Sequence, residues 1–504
     1  MTSAVAGRTR PAGAQATVAS RLDGLAARSG GTGLARIAEG ARSWKRVMGD
    51  RIGSAEGSWA GADWSAPGPW RRLRCDAAEA AAAAGLAAGL APPERAALGV
   101  LARRGHDAFE ALDTVPLADL FSAREQAEIE ALAHDLSPVP AGEPSWLPGK
   151  PFGYDGVVAA ILKVTRLCNM RCTYCLDWRE GPGQTMPLAV QAACLASLLG
   201  GAAHRDVQIV WHGGEPTVIG RRAFLRLLRL QRWFMRPGQR IGNRVQTNAT
   251  TATRAWTDLW SLLGIRVSAS IDGDRESHDR QRPMAGGRPS HALVRRGLDR
   301  LAGAGVLEHV YWVVGPQTVA EGAEAVWSRI QALRPPEIGL LPMRTPEAPS
   351  GPVRSFAEFL LALRTARRAA PDPWVPIREI DSAERAVARR MPAFCELMGN
   401  CLGHVFSVDP DGTIRHCDRF VGSEEHVLGN VLDGGFAAAR AGPALARLRD
   451  AEAARLDRFS SCPQFAHCQG WCPHVTRAGH AWIAGTDAGC CGLRPLLDGI
   501  ERDP

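Results

Sequence analysis

Cys168, Cys172 and Cys175 lie in the stretch Cys-Asn-Met-Arg-Cys-Thr-Tyr-Cys, a C-x3-C-x2-C spacing. Three thiolates are enough to hold three irons of a 4Fe-4S cube, which leaves the fourth iron open to another ligand. A structural zinc site wants four ligands and usually closes them in pairs. The bacterial ferredoxin run places a further cysteine close behind its triplet, whereas the next cysteine here is Cys194. For the triplet alone a zinc knuckle stays open as the alternative. An apolar, β-rich run at 157–164 precedes it, so a strand feeds the cysteines into a loop.

After a second apolar run comes His212-Gly213-Gly214-Glu215-Pro216-Thr217. Two glycines let backbone approach a ligand closely, and a carboxylate accepts hydrogen bonds from an ammonium. Gln246-Thr247-Asn248 follows a third run; Ser270-Ile271-Asp272-Gly273, Ser277-His278-Asp279 and Arg282 follow a fourth. Further cysteines gather late in the chain: Cys395, Cys401, Cys417, Cys462, Cys468, Cys472, Cys490 and Cys491. The C-x5-C-x3-C spacing from Cys462 to Cys472 is not that of a zinc ribbon. Cys75 and Cys194 sit in helical, Ala-rich surroundings, where a buried free thiol is unremarkable.

The elements that must position these residues alternate. Short β-like runs at 207–211, 244–247, 265–271, 310–314 and 338–341 are separated by helical stretches at 188–199, 222–234, 255–263, 290–304 and 323–333. With the strand before Cys168 this gives six βα units, hence a parallel sheet with right-handed crossovers, closer to a partial barrel than to a full eight. Active sites in such folds lie at the C-terminal strand ends, where the distinctive residues fall. The expected fold is therefore α/β, a partial (β/α)6 barrel over 151–370. Before it, 1–150 reads as a tail plus a helical extension of its own. Helices are expected at 21–27, 34–47 and 76–90 and from Pro92, Ser122 and Glu125 form a capping box, and 138–153 is a Pro/Gly linker. Past residue 371 the pattern ends in a Cys-rich stretch, 371–504, with few long periodic segments, where metal clusters can replace an apolar core.

A chain of 504 residues has room for two or three domains. Its net charge of +8 comes mostly from dispersed Arg, with no compact Lys/Arg run, so no nucleic-acid partner is expected. No apolar run reaches membrane-spanning length and the N-terminus lacks an apolar signal core, which points to a cytoplasmic protein away from membranes. Thirteen cysteines in such a chain suit metal rather than disulfides.

The Cys168–Cys175 triplet, with Tyr174 before its last cysteine, resembles the cluster motif of the radical S-adenosylmethionine (SAM) superfamily. The resemblance runs over 157–492 and is similar in detail to anaerobic sulfatase-maturing enzymes and to radical SAM maturases of ribosomally made peptides. It implies that Gly213, Gly214, Glu215 and Pro216 bind the SAM amino group. It further implies that Tyr174 meets the adenine, and that Asn248, Ser270 and Arg282 complete the site, with Ser270 and Arg282 on the ribose and carboxylate. The late cysteines resemble a SPASM domain with two auxiliary 4Fe-4S clusters. Cys395, Cys401, Cys417 and Cys472 would hold one, and Cys462, Cys468 and Cys490 the other.

One family position departs: Phe459 stands where a cysteine is expected. Either Cys491 substitutes, although adjacent cysteines strain to reach one cube, or one iron is open or takes an oxygen ligand. Asp418, directly after Cys417, matches the proposed proton acceptor of sulfatase-maturing enzymes, a role for which a raised pKa is expected. The implied chemistry is one-electron cleavage of SAM to a 5′-deoxyadenosyl radical, hydrogen abstraction from a precursor peptide, and oxidative cross-linking of the cyclophane type. The auxiliary clusters would accept electrons and an external flavodoxin- or ferredoxin-type reductant would supply them. The runner-up is oxidation of Cys or Ser to formylglycine. The stretch 272–281 with Gly287-Arg288-Pro289-Ser290-His291 looks closer to the cyclophane-forming maturases.

Overall fold

The computed structural model describes residues 112, 117–135, 157–200, 206–236, 239–345, 349, 352–371, 375–389, 395–398, 401–476, 481–484 and 489–504. The helices expected before residue 112, the 138–153 linker and Cys75 lie outside them.

Strands β1 (Val157–Thr165), β2 (Asp206–Gly213), β3 (Arg240–Thr247), β4 (Arg266–Ser270), β5 (Leu307–Val314), β6 (Ile338–Pro342), β7 (Val405–Val408), β8 (Thr413–His416) and β9 (Val427–Asn430) form one sheet in the order 6-5-4-3-2-1-7-8-9. From β1 to β6 each strand pairs in parallel with the next. The helices that matter below are α1 (Ala123–Asp135), α2 (Leu188–Gly200), α3 (Gly220–Phe234), α4 (Arg254–Leu262), α5 (Arg275–Gln281), α6 (His291–Gly303), α7 (Ala323–Leu333), α8 (Phe356–Ala369), α9 (Arg378–Arg389), α10 (Pro443–Phe459) and α11 (Arg494–Arg502). Among the described residues no helix is long and apolar enough to cross a membrane.

The two sheet faces differ in chemistry. Ala160, Leu162 and Val164 of β1, Ile209 and Trp211 of β2, Val245 and Val267 join one apolar cluster with Leu195 and Leu198 of α2, Leu227 and Leu228 of α3 and Leu259 of α4. Alternation therefore turns Lys163, Gln208, His212, Arg244, Gln246 and Ser270 to the opposite, inner face. Parallel strands covered on both sides usually read as continuous apolar runs; here the inner face carries these polar and charged side chains instead. Glu308 is the extra residue of a β5 bulge, between Leu307 paired with Val267 and His309 paired with Ser268. It receives the Arg244 guanidinium at 2.8 Å. Burial by itself would raise the Glu308 carboxyl, but Arg244 and His309 hold it down at about 2.

The helical extension docks on this body. Ser122 and Glu125 form the expected box, with Ser122 N–H donating to Glu125 Oε2 at 2.8 Å and Glu125 N–H to Ser122 Oγ at 3.3 Å. Leu117, Leu120, Phe121 and Ile129 are buried in the same apolar cluster as β1 to β4, and Arg226 of α3 bonds Glu125.

The C-terminal stretch is more regular than its sequence reads. β7 continues the sheet in parallel beside β1, Ala159 to Leu162 pairing with Val405 to Val408, and β8 and β9 add antiparallel edges. Helix α10 runs for 17 residues. Its apolar rhythm is interrupted by buried Glu452, which Arg455 neutralises at 2.7 Å. Helix α9 turns Asp381 and Glu384 toward Arg364 and Arg367 of α8, so ion pairs hide its periodicity.

Glu308 carries a pH test. A carboxylate whose pKa is depressed on folding stabilises above its unfolded value, and that stability is lost as pH falls through the folded value. From 4.5 down to about 2, this amounts to roughly 3 kcal/mol at neutral pH. Glu308→Gln is expected to lower urea stability by about that much at pH 7, with the deficit shrinking between pH 4.5 and 2.

Candidate active site

The cysteine loop is held by backbone from elsewhere. Arg171 N–H donates to Pro283 O at 2.8 Å, Thr173 N–H to Gln281 O at 2.9 Å and Ala285 N–H to Asn169 O at 2.8 Å. Cys168 Sγ accepts from Met170 N–H at 3.4 Å and from Asn248 Nδ2 at 3.8 Å. Burial pushes its thiol up to about 12, with Glu215, Cys172 and Cys175 adding to the rise against the Met170 N–H. Burial raises the Cys172 thiol as well, and a metal bound at either sulfur would have to displace its proton.

Gly213 and Gly214 are required by contact. Gly213 has φ +123°, and a Cβ there would stand 2.0 Å from Thr165 O; one on Gly214 would stand 2.4 Å from Leu167 O. The close approach lets Gly214 N–H donate to Thr165 O at 2.8 Å and Glu215 N–H to Leu167 O at 2.9 Å, which sets the chain entering Cys168. Glu215 is fully buried, and the structure directs its carboxylate inward. Thr217 N–H and Oγ1–H donate to Oε1 at 3.1 and 2.6 Å, Thr247 Oγ1 approaches Oε1 and Oε2 at 2.8 and 3.0 Å, and Asn248 N–H donates to Oε2 at 2.8 Å. Those donors fill the lone pairs that an ammonium would use. These contacts let Glu215 tie the β2 turn to the end of β3. Pro216 is buried at the start of the 3-10 turn Pro216–Ile219, which Glu215 caps. Asn248 reaches both ways, its Nδ2 donating to Asn169 Oδ1 at 2.8 Å and its Oδ1 accepting from Thr250 Oγ1 at 2.6 Å.

Tyr174 leaves its ring half-buried and ties down its hydroxyl. The O–H donates to Asp272 Oδ2 at 2.5 Å and accepts from Arg282 Nη1–H at 2.5 Å. Arg282 is 6% exposed, and its Nη1 lies 3.8 Å from Asp272 Oδ2. Asp272 N–H donates to His278 Nδ1 at 3.2 Å; Ser290 Oγ–H donates to Arg282 O at 2.5 Å, so His278 Nε2–H donates to Ser290 Oγ at 3.0 Å. Burial, then the positive charges of Arg282 and His291, press that imidazole down to about 2, which keeps it neutral. Asp272, His278 and Ser290, which stand in the sequence motifs without a role, hold the Arg282 turn in place. Ser270 Oγ accepts from Gln246 Nε2 at 3.0 Å on the inner face.

An unexpected charge group joins the cysteine loop to β7. Lys163, 1% exposed within an apolar strand, bonds Asp177 Oδ1 at 3.0 Å and lies 3.6 Å from Asp409 Oδ1; Arg166 and Arg415 reach Asp409 Oδ2 at 2.8 and 2.9 Å. A lysine in an otherwise apolar run was the sequence signal. Asp418 belongs to this neighbourhood, and its expected pKa is corrected. Burial alone would raise it, but His212, Lys163 and Arg419 hold it below the usual carboxylate range. It is held in its ionised form, as a weaker base than the raised pKa expected from the sequence would have made it.

The late cysteines gather into two sets. Cys395, Cys401 and Cys417 pack with Ala159, Ile161 and Val405 on the inner face of β1 and β7. Burial first, then the neighbouring Cys472, raises the Cys401 thiol; Cys401 and Cys472 likewise act on Cys417. Cys417 takes φ +62° and ψ 154°, a region nearly reserved for glycine, a strain of about 1–3 kcal/mol that functional sites tend to hold. In the second set Cys491 Sγ lies 3.6 Å from Cys468 Sγ, Gly492 N–H donates to Cys490 Sγ at 3.3 Å, and Cys462 also touches Cys490. Both adjacent cysteines thus reach the set, while Phe459 is buried in apolar core. Among the described residues, no three His, Cys, Asp or Glu side chains close around a single ion. Cys194 is buried in α2 with its thiol pushed up by burial, as an inert thiol would be.

Residues 162–326 match the radical SAM superfamily model. A serine-type anaerobic sulfatase-maturating enzyme of Klebsiella aerogenes is 27% identical over 329 residues, spanning 63% of this chain and 80% of that protein. A cysteine-type anaerobic sulfatase-maturating enzyme of Clostridium perfringens is 25% identical over 291 residues, spanning 53% of this chain and 75% of that protein. Native anSMEcpe with bound AdoMet and Cp18Cys peptide superposes with TM-score 0.60 at 21% identity, covering 69% of this chain and 97% of that one.

Because Asp272 and Arg282 are buried together, removing one leaves the other uncompensated. Arg282→Met is expected to destabilise the metal-free chain by about 3–5 kcal/mol, and Asp272→Asn in the same chain to recover part of that loss. Chemical unfolding of wild type and the two variants checks it; equal losses for the single and double variants would contradict the pairing.

Proposed function

Starting from a chain that carries a radical SAM domain, we propose that this protein is a SPASM-type maturase. It removes hydrogen from a side chain of a ribosomally made precursor peptide and joins that side chain oxidatively to another in a cyclophane-type cross-link. The observation that carries the reading is the approach of two cysteine-bearing regions. Lys163 of β1 pairs with Asp177, two residues past Cys175, and with Asp409 of the β7–β8 turn, while Cys395, Cys401 and Cys417 pack on Ala159 and Ile161 of the same strand.

When bound at Cys168, Cys172 and Cys175, a 4Fe-4S cluster with SAM supplies the one-electron chemistry that breaks an unactivated C–H bond. The chain's own residues do the rest. Backbone of Gly213 and Gly214 receives the SAM amino group, Asn248, Ser270 and Arg282 orient the remainder, and Tyr174 offers its ring face to the adenine. The inner face keeps the target carbon in place and water out. A cross-link costs the peptide two hydrogens: one leaves as an atom, the other as a proton and an electron. Asp418 takes the proton. The Cys395, Cys401, Cys417, Cys472 set and the Cys462, Cys468, Cys490, Cys491 set would hold two auxiliary 4Fe-4S clusters, which would supply an acceptor for the electron. An external flavodoxin- or ferredoxin-type protein supplies the first electron, residues 1–150 contact the peptide's leader, and the reaction is cytoplasmic.

The Klebsiella aerogenes likeness favours a second reading, oxidation of Cys or Ser to formylglycine. Mass alone does not separate it, since both a cross-link and formylglycine from Ser remove two hydrogens. Anaerobically reconstituted enzyme with SAM is offered the peptide of the nearest short open reading frame, and separately a Ser-x-Pro-x-Arg peptide. Loss of two hydrogens from the first, with no capture by an aldehyde-reactive hydroxylamine, is expected. A hydroxylamine adduct on the second would establish the alternative.

A further inference from the structure

We propose that His416 is a positioning residue of the first auxiliary site: its Nε2–H donates to the Cys401 sulfur and makes the metal group held there easier to reduce. This rests on the reading of Cys395, Cys401, Cys417 and Cys472 as one site.

His416 ends β8 directly before Cys417, opposite Phe406 of β7. It is 1% exposed, and its Nε2 lies 3.6 Å from Cys401 Sγ, within hydrogen-bond reach for sulfur. A metal-bound thiolate has no proton to give, so the imidazole is the only possible donor of the pair. The ring has little freedom to turn away. It packs on Phe420 with centroids 5.6 Å apart; Phe420 in turn stacks on His426 at 3.8 Å and 9°, and His426 is held by Ser423 Oγ at 2.8 Å. His474 closes the other side of Phe420 at 5.3 Å.

Reduction adds one negative charge, spread in part over the ligand sulfurs. A fixed N–H dipole in a dry site stabilises the reduced state more than the oxidised one, and hydrogen bonds to cluster sulfurs raise reduction potential for this reason. Arg419 also faces this set, but Glu396 pairs with it; backbone N–H groups of Arg419 and of His474 and Val475 point at Cys417 and Cys472, and His416 is the side-chain dipole directed at Cys401. The electron released when the cross-link forms then has a favourable acceptor next to Asp418, which takes the accompanying proton.

The test is an EPR-monitored redox titration of reconstituted full-length wild type, His416→Phe and His416→Gln, with iron counted on each. His416→Phe is expected to keep its iron and to lower one auxiliary midpoint, a roughly tenfold loss of the reduced form or about 59 mV for one electron. His416→Gln, which keeps a donor near the Nε2 position, is expected to lie close to wild type. Retained iron with unchanged midpoints overturns the inference. If His416→Phe loses iron, pulsed EPR on 15N-histidine-labelled wild type decides: a 15N coupling to an auxiliary signal supports the hydrogen bond, and none overturns it. About four irons in the wild type would instead defeat the auxiliary-cluster reading itself.

Discussion

A single buried carboxylate organises the entrance to the barrel. Glu215 has no solvent contact, and burial raises its pKa against the hydrogen bonds from Thr217, Asn248 and Thr247 that lower it. A carboxylate in that position is tolerable only because its oxygens are filled by donors. Those donors come from two strand ends, so satisfying the charge fixes the β2 turn against the end of β3. The β2 turn then lies on Thr165 and Leu167, and Asn248 on Cys168 and Asn169. The cysteine loop inherits its position from that chain of contacts rather than from any regular structure of its own.

A second buried charge group extends the same logic across the sheet. Lys163, Arg166 and Arg415 balance Asp177 and Asp409, and these residues belong to β1, the cysteine loop and the β7–β8 hairpin. The hairpin carries Cys417 and Asp418, so two regions far apart in sequence are held in one polar frame. Their separation is set by β7 pairing directly beside β1. Buried ion pairs of this kind tie the strands and loops that carry them to one another.

Much of this was legible in the sequence. Period and spacing placed the six parallel strands and the helices between them, because apolar faces packed against helices impose a pattern that short windows reveal. The cysteine triplet and the Gly-Gly-Glu-Pro turn were legible because few sequences need them. The illegible parts share a cause. Lys163, Glu308 and Asp272 look like ordinary charges until the fold brings partners from distant strands. Helices α9 and α10 were obscured because buried charges interrupt their apolar rhythm. Glu215 was legible as important but not as to role, since only geometry shows which groups occupy its oxygens. Cys491 was legible in the sequence as a substitute beside Phe459; its place next to Cys468, with Cys490 at the Gly492 N–H, depends on the turn there.

A cluster held by Cys168, Cys172 and Cys175, as proposed above, would present an open position to SAM. The most direct measurement is the EPR spectrum of anaerobically reconstituted, reduced full-length protein with and without SAM, in wild type and in Cys172→Ala. SAM is predicted to reshape one component of the wild-type signal, and Cys172→Ala to lose that component while keeping the remainder. A spectrum indifferent to SAM, or a SAM-sensitive component that survives in Cys172→Ala, would contradict the account.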